Sequence, residues 1–186
     1  MSILYKISWF VNAKFYKFFF GHIGKNSIIG KCIFLHNPKN IFIGNRVRIF
    51  PGSRFENHNK GKILINDDVS IGQNLHIISS DQQLVIGSGT TISSNVCITN
   101  VDHNYTDIML PVAYQGLTSK KTLIGDNCFI GYGTIIQAGT ILRKHCIIGA
   151  NSVVKGHFPD YSVIAGNPGK IIKCYSNGNW IKTEVQ

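Results

Sequence analysis

Acid is what the first third of this sequence lacks. No Asp or Glu occurs before Glu56, while Lys6, Lys14, Lys17, Lys25, Lys31, Lys39, Arg46, Arg48 and Arg54 precede it. The first 55 residues thus carry +9 of the formal net charge of +10, and the other 131 are about neutral. Charge this one-sided points to an anionic partner such as a membrane or a phosphorylated ligand. Nucleic acid is disfavoured, because no stacking motif accompanies the cations. Cysteine is sparse, five residues with no CxxC or paired spacing, which suits a reducing, cytoplasmic compartment. Charged residues make up 15% and hydrophobic ones 44%, a balance that reads as one soluble globular domain with a real core. A long apolar run is also missing. Residues 2–20, the one helical-looking stretch, are too short and too often broken by Lys for a bilayer span of ~20 apolar residues. They also lack the small-residue cleavage site of a signal peptide.

On that stretch Ile3, Leu4, Ile7, Val11, Phe15 and Phe18 line one helical face, with Tyr5, Trp9 and Tyr16 opposite. It can cap the open end of a repeat structure or lie in an anionic membrane interface, at the inner face of the membrane. The two roles are compatible.

What the sequence has is a period of six. Ile124, Ile130, Ile136, Leu142, Ile148 and Val154 recur at that interval, each with a small residue two before it: Thr122, Cys128, Thr134, Thr140, Cys146 and Ser152. Six fits neither a helical face, at 3.6, nor a strand face, at 2. It fits a short strand plus a corner, three to a turn, so that the chain winds into a triangular solenoid of parallel strands. The register extends back through Ile23, Ile29, Leu35; Ile43, Ile49, Phe55; Ile65, Ile71, Ile77; and Ile86, Ile92, Ile98. Their partners two before, among them Ile33, Val47 and Leu84, include no charge. Six coils at ~4.8 Å make a prism ~29 Å long. All eight Ile-Gly pairs fall on this register, and the glycines, with Asn26, Asn45, Asn127 and Asn151, are expected at corners with positive φ. Cys128 and Cys146 are expected to stack in the core.

The register slips slightly near Pro38, Asn59 and Asp81, and largely once. After Ile98 it resumes at Ile124, so 20 residues are inserted, with His103 at their root. Long insertions in compact domains are usually functional or disordered. The expected organisation is a helical cap over 1–22, a repeat domain over 23–156 with an insertion loop at 104–122, and a C-terminal motif and tail over 157–186.

The segments Ile124-Gly125-Asp126-Asn127-Cys128-Phe129-Ile130-Gly131, Ile148-Gly149-Ala150-Asn151-Ser152-Val153-Val154 and Phe158-Pro159-Asp160-Tyr161-Ser162-Val163-Ile164-Ala165-Gly166-Asn167-Pro168-Gly169-Lys170, with Asp102-His103 before a looped insertion, resemble the hexapeptide-repeat acyltransferases. The similarity is greatest to bacterial enzymes that acetylate sugars of lipopolysaccharide or capsule. It implies an all-β, left-handed parallel β-helix, a homotrimer, acetyl-CoA as donor, a sugar or saccharide acceptor, and a cleft between subunits. It further implies CoA contacts at Phe129, Gly131, Gly149, Ala150, Lys155, Lys170 and Lys173. Where the family commonly has Thr-Lys-Asp after Ser-Val-Val, this chain has Lys155-Gly156-His157, so that lysine contact falls to Lys155. Phe129 stands at a frequent Trp position.

Acetyl transfer to a hydroxyl needs a base, and histidine, with an unperturbed pKa of about 6.5, suits the task. Of the seven histidines, His22 and His76 are expected to face out and His145 to be solvated surface, whereas His103 stands where the family's catalytic His is found. Asp102, as its strand neighbour, points to the opposite face and is a poor orienter of the ring. It is a candidate for acceptor or cross-subunit contact as much as for catalysis. Tyr105, Tyr114 and Gln115 of the insertion are candidates to hold the sugar. No metal is expected: the γ-class carbonic anhydrases resemble this repeat, but the close His pair that they use is missing after His103. N-acetylation of an amino nucleotide-sugar and a non-catalytic scaffold are the alternatives.

Overall fold

Every third strand of the sequence register should hydrogen-bond to the next, and it does. The computed structural model describes residues 3–183, with side chains from residue 5 onward; Ser2 of the expected helix and Glu184 to Gln186 of the tail lie outside them. Ile23, Ile43, Ile65, Ile86, Ile124 and Leu142 pair in succession along one face of a parallel β-solenoid. Ile29, Ile49, Ile71, Ile92, Ile130 and Ile148 pair along the second. Leu35, Phe55, Ile77, Ile98, Ile136 and Val154 pair along the third. The solenoid then runs two sides further than the expected 156, through Phe158 under Leu142 and Ile164 under Ile148. A spacing of four instead of six between Val154 and Phe158 hid those sides from the period. The strands Lys170–Ser176 and Asn179–Lys182 fold back antiparallel on the second face.

The interior is a stack of aliphatic side chains from all three faces, nearly all fully buried. The small inward residues supply hydroxyls that satisfy the corners. Thr90 donates to the carbonyl of Gly125 at 2.9 Å, Thr140 to that of Val154 at 3.0 Å, and Ser27 to that of Gly44 at 2.8 Å. Each hydroxyl is thereby paired despite its burial, and each ties one coil to the next. Cys128 and Cys146 are buried within the same stack, and all five thiols are free.

Two expectations need correction. Ile33 is 69% exposed rather than inward-packed. It belongs to the first coil, whose third side has no coil beyond it, and the helix packs over the second side instead. The glycines of the Ile-Gly pairs do not have positive φ. Their reason is close approach: a Cβ on Gly24 would lie 2.5 Å from the backbone of Gly44, and one on Gly125 would lie 2.7 Å from that of Arg143. Left-handed backbone falls instead on Asn26, Arg46, Asn127, His145 and Asn151, so the expected Asn45 is displaced by one residue to Arg46.

The helix Ile3–Tyr16 caps the first coil. Trp9 meets the edge of Phe50 at 4.7 Å, Phe20 meets Phe55 at 6.2 Å, and the Tyr16 hydroxyl accepts the Cys32 N–H at 3.0 Å.

Gly125→Ala is expected to destabilise the fold by about 1–3 kcal/mol, because backbone rather than a movable side chain opposes the new methyl group. That is a fall of roughly 3–10 °C in Tm. Asn26→Gly, at a left-handed corner, should change Tm by far less. Thermal melts followed by circular dichroism compare the two. Equal effects would place the glycine requirement in backbone conformation instead.

Candidate active site

The insertion leaves the prism at the corner between the third and first faces. Its root is a two-stranded hairpin, Val101–His103 against Leu117–Ser119, with His103 opposite Leu117. Buried Asn100 anchors that root. Its amide oxygen accepts the Ser80 N–H at 2.8 Å, and its carbonyl accepts the Lys120 N–H at 2.8 Å. The root of the hairpin is therefore tied to the coil before it, and its two ends are tied to each other.

A cleft of about 420 Å³ opens there, lined by Asp102, His103, Asn104, Tyr105, Thr106, Thr118, Lys120 and Lys155. His103 is exposed, and among the described residues no hydrogen bond or ion pair engages its imidazole. Asp102 does not orient it. Its carboxylate lies between Lys120 at 3.7 Å and Lys155 at 3.6 Å, which fastens the hairpin to the last full coil. Strand alternation accounts for the split, since neighbours 102 and 103 face opposite ways.

The other expected residues divide. Tyr105 lines the cleft and is 74% exposed, while Tyr114 is exposed further along the loop and is not among the lining residues. Gln115 is engaged within the loop itself. Its amide oxygen accepts the Asp107 N–H at 3.0 Å, and its NH₂ donates to the carbonyls of Asp107 and Leu110, both at 2.8 Å. With those groups engaged, Gln115 shapes the loop. Of the expected CoA contacts only Lys155 is in the cleft. Phe129 is exposed on the second face, Gly131, Gly149 and Ala150 follow strands of that face, and Lys170 and Lys173 lie on the strand that extends it. Gly131 also has a packing reason, since a Cβ there would meet the Ala150 nitrogen at 2.6 Å.

Three arrangements were not read from the sequence. A groove of about 980 Å³ adjoins the cleft through Lys120 and continues past Lys121, Leu123, Ile141, Arg143 and His157. It combines cations with an apolar floor. His145, expected as solvated surface, instead sits among Tyr161 and Trp180 with ring centroids 5.8 and 6.4 Å away. The C-terminal hairpin brings that tryptophan in. Finally, Glu56 gathers Arg54, His76 at 2.7 Å and His58 at 3.5 Å on the outer third face, with His36 against His58. The available signal was Glu56 one coil of 20 residues after His36; the next coil takes 22, which sets His76 beside Arg54 and within reach of Glu56. Among the described residues no group of three or more His, Cys, Asp or Glu is arranged to hold a metal ion.

A solenoid with a histidine-bearing hairpin inserted at one corner is the class of protein that the fold and cleft define. The bacterial transferase hexapeptide (six repeats) family matches residues 121–156. An Escherichia coli (strain K12) protein named as a lipopolysaccharide biosynthesis O-acetyl transferase, WbbJ, is 33% identical over 151 residues, which cover 77% of this chain and 76% of its own length. The dTDP-4-amino-4,6-dideoxy-D-glucose acyltransferase of Escherichia coli is 32% identical over 158 residues, 82% of this chain and 81% of its own. Among solved structures, a variant of AntD, an N-acyltransferase from Bacillus cereus in complex with dTDP and coenzyme A, aligns with a TM-score of 0.77 at 24% identity, covering 88% of this chain and 89% of that one. The chain belongs to the bacterial hexapeptide-repeat transferases, and its solenoid is their left-handed parallel β-helix of about six turns.

The Glu56 cluster makes stability depend on acid. Burial pushes the Glu56 carboxyl up, but hydrogen bonds and charge from Arg54 and His76 outweigh it and hold the group at about 2. A depressed carboxyl contributes stability that is present above its unfolded value of ~4.3 and lost as pH falls toward 2. Glu56→Gln should therefore cost about 1–2 kcal/mol at neutral pH, the full shift being discounted for its half-exposed partners. Urea melts at pH 7 and pH 3 test this: the gap to wild type should narrow at the lower pH, and a gap that is constant with pH would count against the assignment.

Proposed function

We propose that this chain transfers the acetyl group of acetyl-CoA to a hydroxyl of a sugar built into cell-surface polysaccharide, with His103 as general base. The observation that carries the reading is the exposed imidazole of His103 in a cleft between an anchored hairpin and the prism. A ring nitrogen of neutral His103 takes the proton of the acceptor hydroxyl as its oxygen attacks the thioester carbonyl. The tetrahedral intermediate collapses, the C–S bond breaks, and the departing CoA sulfur receives the proton from the imidazolium. Backbone N–H groups at the corners hold the oxyanion.

The name of WbbJ supports a hydroxyl acceptor. The match to a dTDP-amino-sugar acyltransferase supports the second reading, N-acetylation of an amino nucleotide-sugar. In either case Tyr105 stacks on a sugar ring and Lys120, Lys121 and Arg143 meet ligand phosphates, a reading supported by their presence along the cleft and the groove beside it. The assembly is a homotrimer, in which Phe129, Ala150, Lys170 and Lys173 of one subunit complete the donor site at the hairpin of the next. The exposed Ile108 and Met109 at the loop tip suit burial against such a neighbour. The enzyme acts in the cytoplasm, peripherally at the inner face of the membrane.

His103→Ala should lower kcat by roughly 10²–10⁴ with little change in acetyl-CoA affinity. His22→Ala, an exposed histidine of the first coil outside both the cleft and the groove, is the control and should retain turnover. Thiol release measured with hydroxyl and amino sugars side by side tests base and acceptor together. Near-normal turnover in His103→Ala would remove the assignment, and a rate confined to amino sugars would favour N-acetylation.

A further inference from the structure

We infer that the outward face of the N-terminal helix docks on an anionic lipid surface. The inference is independent of the catalytic reading. The helix has two apolar faces and the cap uses one. Trp9, Ala13 and, beyond the helix, Phe20 are buried against the first coils. Ile7, Val11 and Phe15, spaced by four, form the opposite stripe, and each is more than half exposed. Phe10 and Phe19 flank the stripe, and Phe18, just past the helix, is 84% exposed. Ile33 and Phe34 of the first coil are exposed as well, on the neighbouring side at this end of the prism. An aromatic patch of this extent is a mark of an interaction surface.

Charge selects the occupant. Lys6, Lys14, Lys17, Lys25, Lys31 and Lys39 are all exposed around the patch, and no acid precedes Glu56 in sequence. Lys14 holds its ammonium over the Phe10 ring at 4.8 Å, so cation and aromatic stand side by side on this exposed surface. Aromatic and aliphatic side chains entering the headgroup boundary, with lysines on lipid phosphates, use both features at once. A second copy of the same end would bring like charges together instead. Among the described residues no helix is long and apolar enough to cross a membrane, so this helix would lie in the surface plane.

The test is co-flotation of the full-length protein with vesicles of phosphatidylcholine alone or with phosphatidylglycerol, at low and high salt. Wild type should bind the anionic vesicles at least tenfold more tightly than the neutral ones. Val11→Glu with Phe15→Glu should remove binding at least tenfold. Lys14→Glu with Lys17→Glu should remove mainly its salt-sensitive part. All four positions are exposed, so melting temperature and acetyl transfer to a soluble acceptor should stay at wild-type values. Loss of vesicle binding with transfer intact separates this inference from the catalytic one. Absence of vesicle binding by wild type, or equal binding by the stripe variant, would overturn it. So would sedimentation showing lipid-free association of trimers that the stripe variant abolishes, which would make the stripe an interface between copies.

Discussion

The ladder of backbone hydrogen bonds from coil to coil is the constraint on which the rest depends. Strands pair at ~4.8 Å only if nothing projects into the gap at the corners. The glycines after Ile23, Ile43, Ile86 and Ile124 answer that demand, since a methyl group on any of them would meet the backbone of the next coil within 2.8 Å. With the corners closed, some sides, as at Val47 and Leu84, carry two apolar inward side chains, and the others carry one large and one small. The small one carries a hydroxyl or thiol that reaches a carbonyl of a corner or the next coil, as at Thr90, Thr134 and Cys146. Packing and polar satisfaction are thus solved by the same pair of residues.

A scaffold so regular has little freedom to form a concave site within its own coils. Chemistry enters where the winding is interrupted. The hairpin rises at the corner after Asn100 and is fixed from below by that buried amide and from the side by Asp102 between Lys120 and Lys155. The loop beyond is braced by Gln115. The result is a cleft in which His103 stands exposed while Asp102 lies between Lys120 and Lys155. That is the preorganisation that acyl transfer needs.

The scaffold was legible because the period acts on every coil. Each aligned residue from Ile23 to Val154 pairs as the spacing of six requires, even across the 20-residue insertion, where Ile86 meets Ile124. What spacing could not convey was the cause behind a residue. Glycine after isoleucine reads equally well as free backbone or as close approach, and only the distance to the next coil decides. Side-chain partnerships that cross coils were also hidden. The grouping of His36, Glu56 and His76 needs the slips at Pro38 and Asn59 to be placed first, and Gln115 gives no sign in sequence that it folds back on Asp107. The two apolar faces of the helix were visible, but not that the face with Trp9 would be the one to pack. At the candidate site, His103 and Tyr105 stand together in the cleft, while the expected CoA contacts other than Lys155 lie on another face of the prism. A single chain can join those two sets only across an interface between copies.

That junction is the centre of the account, and a crystal structure of the assembled protein with acetyl-CoA bound tests it most directly. The account predicts a trimer in which the thioester lies between subunits. Its carbonyl carbon should be close enough to His103 for one acceptor oxygen to fit between them, ~3–3.5 Å from the carbon. The remainder of the CoA should run along the face that carries Phe129 and Ala150 of the adjoining subunit. A thioester seated away from every His103 in the assembly would contradict it.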